Sequence, residues 1–404
     1  MRASGVLQKC LPSSLGKMHA LRKHVVLQAV DALLRSWRLT LMDMARAWSG
    51  AERVRAPLKA LDRLLSNRHL HAERECLYAN MARWLLRGPR PIIVVDWSDL
   101  KADKSWCLLR AAVPVGGRAL TILDMVFSGK QQGSPAAERL LLKRLQAIVP
   151  AHCTPIVVTD AGFRNPWFRD VEAIGWYWVG RVRGATLFTR PGMTRKADAW
   201  LSCRSLHLLA TTTPNDVGVV ELARDHPLKA RLVLYRKIVK GRKHRTRLGQ
   251  IAQSGTSRKA AARESEPWLV AVSPGLALSP RQVIKFYARR MQIELAFRDL
   301  KSHRFGQAYE DSLTRKDRRI EILLLLSALA TFACWAMGKA AEAAGDADAA
   351  CSHHMASLRL CREHGDRWTA AYMLSSMMSA LAELGDMDTA LPLMEELLTV
   401  ASEL

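Results

Sequence analysis

Acidic residues are scarce in this chain. Of 404 residues, 37 are Asp or Glu against 61 Lys or Arg, a formal net charge of +24. So large a basic excess on a folded chain points to a polyanionic partner, nucleic acid first and an anionic membrane surface second. Paired cysteines are missing as well. The eight cysteines (10, 76, 107, 153, 203, 334, 351 and 361) are scattered, with no Cys-x-x-Cys. That excludes a disulfide scaffold or zinc ribbon as the organising device and suits a reducing cytosol. No charged-then-apolar segment opens the chain, so no secretory leader is expected. Long uncharged runs are absent but for residues 322–338. At seventeen residues, and with Ser327, Thr331 and Gly338 in it, that run reads as a buried core helix rather than a membrane span.

What the chain has in quantity is apolar side chains, 49% of the total. That is enough for a large core and excludes wholesale disorder. The length predicts two or three domains. Charge divides the chain unevenly. Residues 345–404 hold three basic and ten acidic residues, a net −7, which leaves +31 on residues 1–344. A boundary near Gly345 is therefore expected. Within the tail, Gly-Asp recurs at 345–346, 365–366 and 385–386, and Arg367–Leu384 and Met387–Leu404 read as helices. This pattern resembles a tetratricopeptide-type helical repeat with a period of 40, in about one and a half copies; an Ala-rich helical hairpin is the alternative. Cys351, His353, His354, Cys361 and His364 fall on one of its helices without a matching second pair, which argues against zinc.

Ahead of the tail, residues 1–88 read as an N-terminal helical part and 89–344 as an α/β part. Thr40–Ala45 begins a short helix, Ser49-Gly50 a turn, and Pro57–Leu65 a second helix. With Arg53, Arg55, Lys59, Arg63 and Arg68, this fits a helix-turn-helix that contacts DNA, or an ordinary basic helical bundle. Strands are expected at Pro91–Asp96, Trp106–Val115, Arg118–Phe127, Pro155–Asp160 and Gly175–Val182, with helices at Ala136–Ile148 and Asn165–Ala173. From about 185 to 275 the pattern turns β-rich, with strands at Leu206–Thr211, Val217–Leu222, Arg231–Arg236 and Trp268–Val272. Lys229 to Arg263 holds twelve basic residues and no acid, Lys240, Arg242 and Lys243 among them. Such a run is a solvated loop or a phosphate contact, binding without sequence information.

Two apolar strands end in an acid, Asp96 and Asp160. A carboxylate there needs a partner, either the following turn or a divalent metal at the strand ends. A third acid lies on a helix that opens with Ser279-Pro280 and runs to about Lys301. Tyr287, Arg290, Glu294 and Lys301 fall within an arc of roughly 60° on that helix. An Arg290–Glu294 pair at i,i+4 is the plainer explanation. Together, three carboxylates could hold two Mg²⁺ for phosphodiester chemistry. Asp99 and Asp124 are further acids, for which surface or turn positions are expected.

Val95-Asp96-Trp97-Ser98-Asp99, Asp160-Ala161-Gly162-Phe163 and Tyr287-x₂-Arg290-x₃-Glu294-x₆-Lys301 resemble the D-D-E transposases of insertion-sequence family four, the insertion-sequence-ten branch in particular. Asn67-Arg68-His69-Leu70-His71 and Gly175-Trp-Tyr-Trp-Val are similar to that branch too, so the likeness covers residues 17–344. It implies a ribonuclease H-like core with a β-rich insertion, an N-terminal part that binds transposon ends, and cut-and-paste transposition through a hairpin intermediate. It implies Mg²⁺ (with Mn²⁺ able to substitute) held by Asp96, Asp160 and Glu294, and DNA contacts from Tyr287, Arg290 and Lys301. Trp268 lies where the family has a Trp that stacks on a flipped base; a core strand aromatic is the alternative. The implied partner is double-stranded DNA, bound by a homodimer in a bacterial cytoplasm at the nucleoid, with no membrane. The acidic tail departs from the family, whose chains continue into a basic helical region. Two other expectations therefore stand beside the active enzyme: a catalytically incompetent remnant that binds DNA, and a DNA-binding module whose tail takes a protein partner.

Overall fold

The computed structural model describes residues 3–193, 199–238, 250–251, 253–255, 266–304, 306–343 and 387–402. Six helices come first: α1 (Ala3–Cys10), α2 (Pro12–Lys17), α3 (Ala20–Ser36), α4 (Leu41–Arg46), α5 (Arg55–Leu65) and α6 (Arg68–Leu85). Side-chain caps set two of their starts. Thr40 Oγ1 accepts from Asp43 N at 3.1 Å, and Asn67 Oδ1 accepts from His69 N and Leu70 N. Pro57 stands in the third position of α5, not the first, because the helix begins two residues earlier, at Arg55.

A meander follows, β1 (Ile92–Asp99), β2 (Trp106–Pro114) and β3 (Ala119–Ser128). Gly116 and Gly117 make the β2–β3 turn with φ of 93° and 71°, values that side chains with a Cβ resist. Next come α7 (Pro135–Ile148), β4 (Ile156–Thr159), α8 (Asn165–Ala173) and β5 (Tyr177–Val182). Strands β1, β4 and β5 are parallel neighbours; β2 runs antiparallel to β1, and β3 antiparallel to β2, so only β2 of these five is reversed. Ile93, Val94, Val95, Val157 and Val158 are fully buried, as expected of central strands covered on both faces.

The β-rich stretch does not stand apart. Strands β6 (Leu187–Thr189), β7 (Leu201–Ser202), β8 (Asn215–Leu222), β9 (Leu228–Tyr235) and β10 (Trp268–Val272) extend the same sheet. The ten strands run β3-β2-β1-β4-β5-β10-β9-β8-β6-β7, joined where β10 pairs antiparallel with β5. One expected strand is corrected: Leu206–Thr211 is mostly a 3₁₀ segment, Cys203–Leu209, started by Ser202 Oγ accepting from Arg204 N.

The long helix expected from Ser279 to Lys301 is also corrected. It is two helices, α9 (Pro280–Ala288) and α10 (Met291–Lys301), with a tighter turn at Arg289 and Arg290. There, N–H groups bond three residues back, Arg290 N to Tyr287 O and Ile293 N to Arg290 O. Ser279 caps α9 reciprocally with Gln282. Ile293, Phe297 and Leu300 face the core, which fixes how α10 lies on the sheet.

Helix α11 (Asp317–Ala343) contains the uncharged run and is a core helix. Ile322 to Leu326 are fully buried. It is long and apolar enough to cross a membrane, yet most of its apolar stretch is buried inside the protein. Helices α1, α3, α5 and α6 pack on it, and β3 covers another side. Glu321 of α11 ties this junction together: it accepts from Val126 N at 3.4 Å, meets His71 Nε2 at 2.7 Å, and pairs with the buried Arg74. The last described helix is α12 (Met387–Ser402), inside the expected Met387–Leu404. Arg367–Leu384, the Gly-Asp turns and the Cys351–His364 cluster lie outside the described residues.

Candidate active site

Parallel pairing places the first two acids. Val95 stands beside Thr159 in the β1–β4 register, so the next residues, Asp96 within β1 and Asp160 just past β4, stand at the same level. Neighbouring strands lie about 4.8 Å apart, which sets the scale of their separation. Asp96 is not at the end of its strand, because β1 continues to Asp99 along β2. Asp96 Oδ1 accepts from Trp97 N at 2.9 Å, and Asp160 Oδ1 accepts from Gly162 N at 2.8 Å. Asp160 thus caps its turn as well as facing the cleft. A Cβ at Gly162 would come within 2.9 Å of that oxygen, so glycine permits the approach.

Helix α10 supplies the third acid. Its Ile293, Phe297 and Leu300 point inward, and the adjacent Glu294 and Lys301 turn toward the strand ends. Asp96, Asp160, Arg290, Glu294, Arg298 and Lys301 line one open cleft of about 620 Å³, together with Trp97 and Ser98. Arg290 Nη1 donates to Asp96 Oδ2 at 3.0 Å and Nη2 donates to Glu294 Oε1. The i,i+4 pair therefore exists, but the same guanidinium also bridges to the strand. Lys301 Nζ donates to Ser98 Oγ at 2.9 Å and Asp99 O at 3.2 Å.

A family model described as a transposase DDE domain matches residues 87–332. The chain belongs to that family. A search of curated proteins finds no match. The match spans β1 through most of α11, and so the whole cleft of the transposase domain.

The electrostatics suit a polyanion chemistry. Burial pushes Asp96 up to about 7; Arg290 works against that, while Asp160 and Glu294 add to it. Burial opposes the charge on Arg290, but Tyr287, Asp96 and Glu294 outweigh it and push its pKa up. Lys301 is pushed down, first by burial. Transposases of this family use divalent metal ions. In donor chemistry the three carboxylates fit such an ion, being hard oxygen ligands facing one cleft. Among the described residues, however, no three Asp, Glu, His or Cys side chains stand close enough together to hold a metal. Between Asp96 and Glu294 stands Arg290.

Tyr287 is buried beside Arg290, and Trp268 packs edge-on against it at 5.0 Å between centroids. Trp268 also meets Tyr235 at 5.9 Å and lies under Lys237 Nζ at 5.8 Å. It is half-buried, so it is both a strand aromatic and a wall near the cleft. Lys240, Arg242 and Lys243 lie outside the described residues. Asp124 is corrected: it is neither surface nor turn but fully buried, with both carboxylate oxygens on Arg110 at 2.8 and 2.7 Å.

Two residues near the cleft escaped the sequence reading. Arg181 of β5 lies near Tyr287 and Arg290, and its Nε has no hydrogen-bond partner among the described residues. Glu138 of α7 is buried behind the cleft and accepts from Trp97 Nε1 at 3.3 Å. An arginine on an otherwise apolar strand is the signal for the first; nothing in the helical periodicity marks the second.

Proposed function

We propose that this transposase is a cut-and-paste enzyme that binds transposon ends and cleaves and rejoins phosphodiesters at Asp96, Asp160 and Glu294. The observation that carries this is the β1–β4 register, which sets Asp96 beside Asp160 on the cleft that Glu294 enters from α10. When bound, Mg²⁺ or Mn²⁺ would activate a water or 3′-hydroxyl and stabilise the leaving oxygen. The three carboxylates would hold it. Arg290, Arg298 and Lys301 would meet the phosphates, Arg290 with its planar fork. Half-buried Trp268, packed edge-on against buried Tyr287, would be the ring on which an unpaired base stacks, worth about 1–3 kcal/mol.

The core in this reading is ribonuclease H-like, supported by the 3-2-1-4-5 order of its first five strands. Residues 1–88 would grip DNA through α5, where Arg55, Lys59 and Arg63 are exposed with Arg53 and Arg68 flanking. The basic run containing Lys240, Arg242 and Lys243 would add contacts to the backbone. The working unit would be a homodimer on DNA, in a bacterial cytoplasm. A second reading, DNA binding without cleavage, is favoured by the net −7 tail where the resembling family has basic helices.

The test is a labelled duplex carrying the element's end, incubated with the full chain or Glu294→Gln and Mg²⁺. Nicking that disappears in the variant supports the enzyme. Retarded but uncut DNA with both proteins supports the second reading.

A further inference from the structure

One guanidinium holds two of the three acids. Arg290 bonds Asp96 on β1 at 3.0 Å and Glu294 in the first turn of α10. Asp96 is 9% exposed and the Arg290 side chain 14%, so the carboxylate has little water to stabilise its charge. A cation in that gap offsets the cost of two neighbouring carboxylates. The Glu294 side chain is 41% exposed, so the bond on that side is the one solvent and ligands reach. Behind Arg290, buried Tyr287 and Trp268 form a wall.

We propose that Arg290 is a positioning residue that fills the place of a divalent cation between Asp96 and Glu294 until a DNA phosphate draws it away. This rests on the three acids being the metal ligands. Arg290 and the ion compete for the same oxygens while DNA is absent. A phosphate bound by Arg290 releases the acids, and an ion on the acids releases Arg290 for the phosphate. By linkage, DNA and metal then strengthen each other's binding to an equal degree. The device would keep the acids paired and non-hydrolytic away from DNA. The tight turn at Arg289 and Arg290 places the guanidinium between strand and helix, where a straight helix would carry it along one face.

The test is Mn²⁺ titration of the full chain followed by electron paramagnetic resonance, with and without a blunt DNA duplex, for wild type, Arg290→Gln and Arg290→Lys. Asp96→Asn identifies the signal that belongs to this site. Without DNA, Arg290→Gln is expected to bind Mn²⁺ about tenfold more tightly than wild type, the change carried by about 1.4 kcal/mol of ion pairing. Arg290→Lys restores weak binding. DNA tightens Mn²⁺ binding to wild type but not to Arg290→Gln. Equal or weaker binding by a folded Arg290→Gln overturns the proposal. If that variant does not fold, an absence of any DNA effect on wild type overturns it. If all the proteins bind Mn²⁺ alike at the site, the metal reading stands and only the Arg290 proposal fails. If none binds, both fail.

Discussion

The Arg110–Asp124 pair is the sharpest structural test of how the catalytic sheet is held. The two residues face each other across β2 and β3, and Asp124 is wholly buried. Two parallel hydrogen bonds of 2.8 and 2.7 Å satisfy the fork. The guanidinium also lies 5.3 Å from the ring centre of Phe297, on the helix that carries Glu294. Asp124→Ala would leave a buried guanidinium without its counter-charge, at a cost of about 3–5 kcal/mol. One core runs from Ala3 to Ala333, and at about 2.1 cal/mol/K per residue over roughly 300 residues, about 4 kcal/mol lowers Tm by about 6 °C. The assay is thermal unfolding in metal-free buffer, which separates packing from ligand effects. Arg110→Met combined with Asp124→Leu removes both charges, so most of the lost Tm should return. A fall of under about 2 °C for Asp124→Ala would refute the reasoning, since it would mean that water or another group already serves the Arg110 charge.

Other expectations follow from the same geometry. Burial pushes Glu138 from its ordinary 4.5 to about 7, so folding disfavours its ionised form. Its contribution to stability is intact below about pH 4.5 and is lost as pH rises through about 7. Glu138→Gln should flatten the stability–pH curve in that window, leaving the part due to Asp96; an unchanged curve would contradict the assignment. Deleting residues 345–404 removes a net −7 and raises the remaining charge to +31. DNA binding in low salt should tighten, and the difference should vanish near 1 M salt, where screening acts over about 3 Å. Equal affinity in low salt would show that the tail's charge does not reach the DNA.

Much of the core was legible because its signals are local. Apolar runs bounded by turn residues marked β1, β4 and β5, and Gly116-Gly117 marked the hairpin. The acids were legible as the polar residues that interrupt or end those runs. What was not legible depended on chain partners far away in sequence. Asp124 has the look of a surface acid until β3 is paired with β2 and Arg110 comes to face it. Arg181 gains its place only when β5 and α9 meet. The break at Arg289 and Arg290 lies in a stretch whose periodicity reads as continuous helix, and no glycine or proline interrupts it. Leu206–Thr211 is apolar enough for a strand, but the Ser202 cap winds it the other way. The extension of the sheet through β10 was likewise not readable, because β10 pairs with β5 across more than eighty intervening residues.

The most direct measurement of the central claim replaces Mg²⁺ with Fe²⁺ and maps where hydroxyl radicals cut the polypeptide, with DNA present. With added hydrogen peroxide and ascorbate, the bound Fe²⁺ is oxidised to Fe³⁺ as it reduces peroxide to hydroxide and a hydroxyl radical, which cleaves the backbone beside it. Cuts clustered around Asp96, Asp160 and Glu294, lost together in Asp160→Asn, are the predicted result. Cuts elsewhere, or none at these three places in a protein that still binds DNA, would contradict a metal-dependent centre built from these acids.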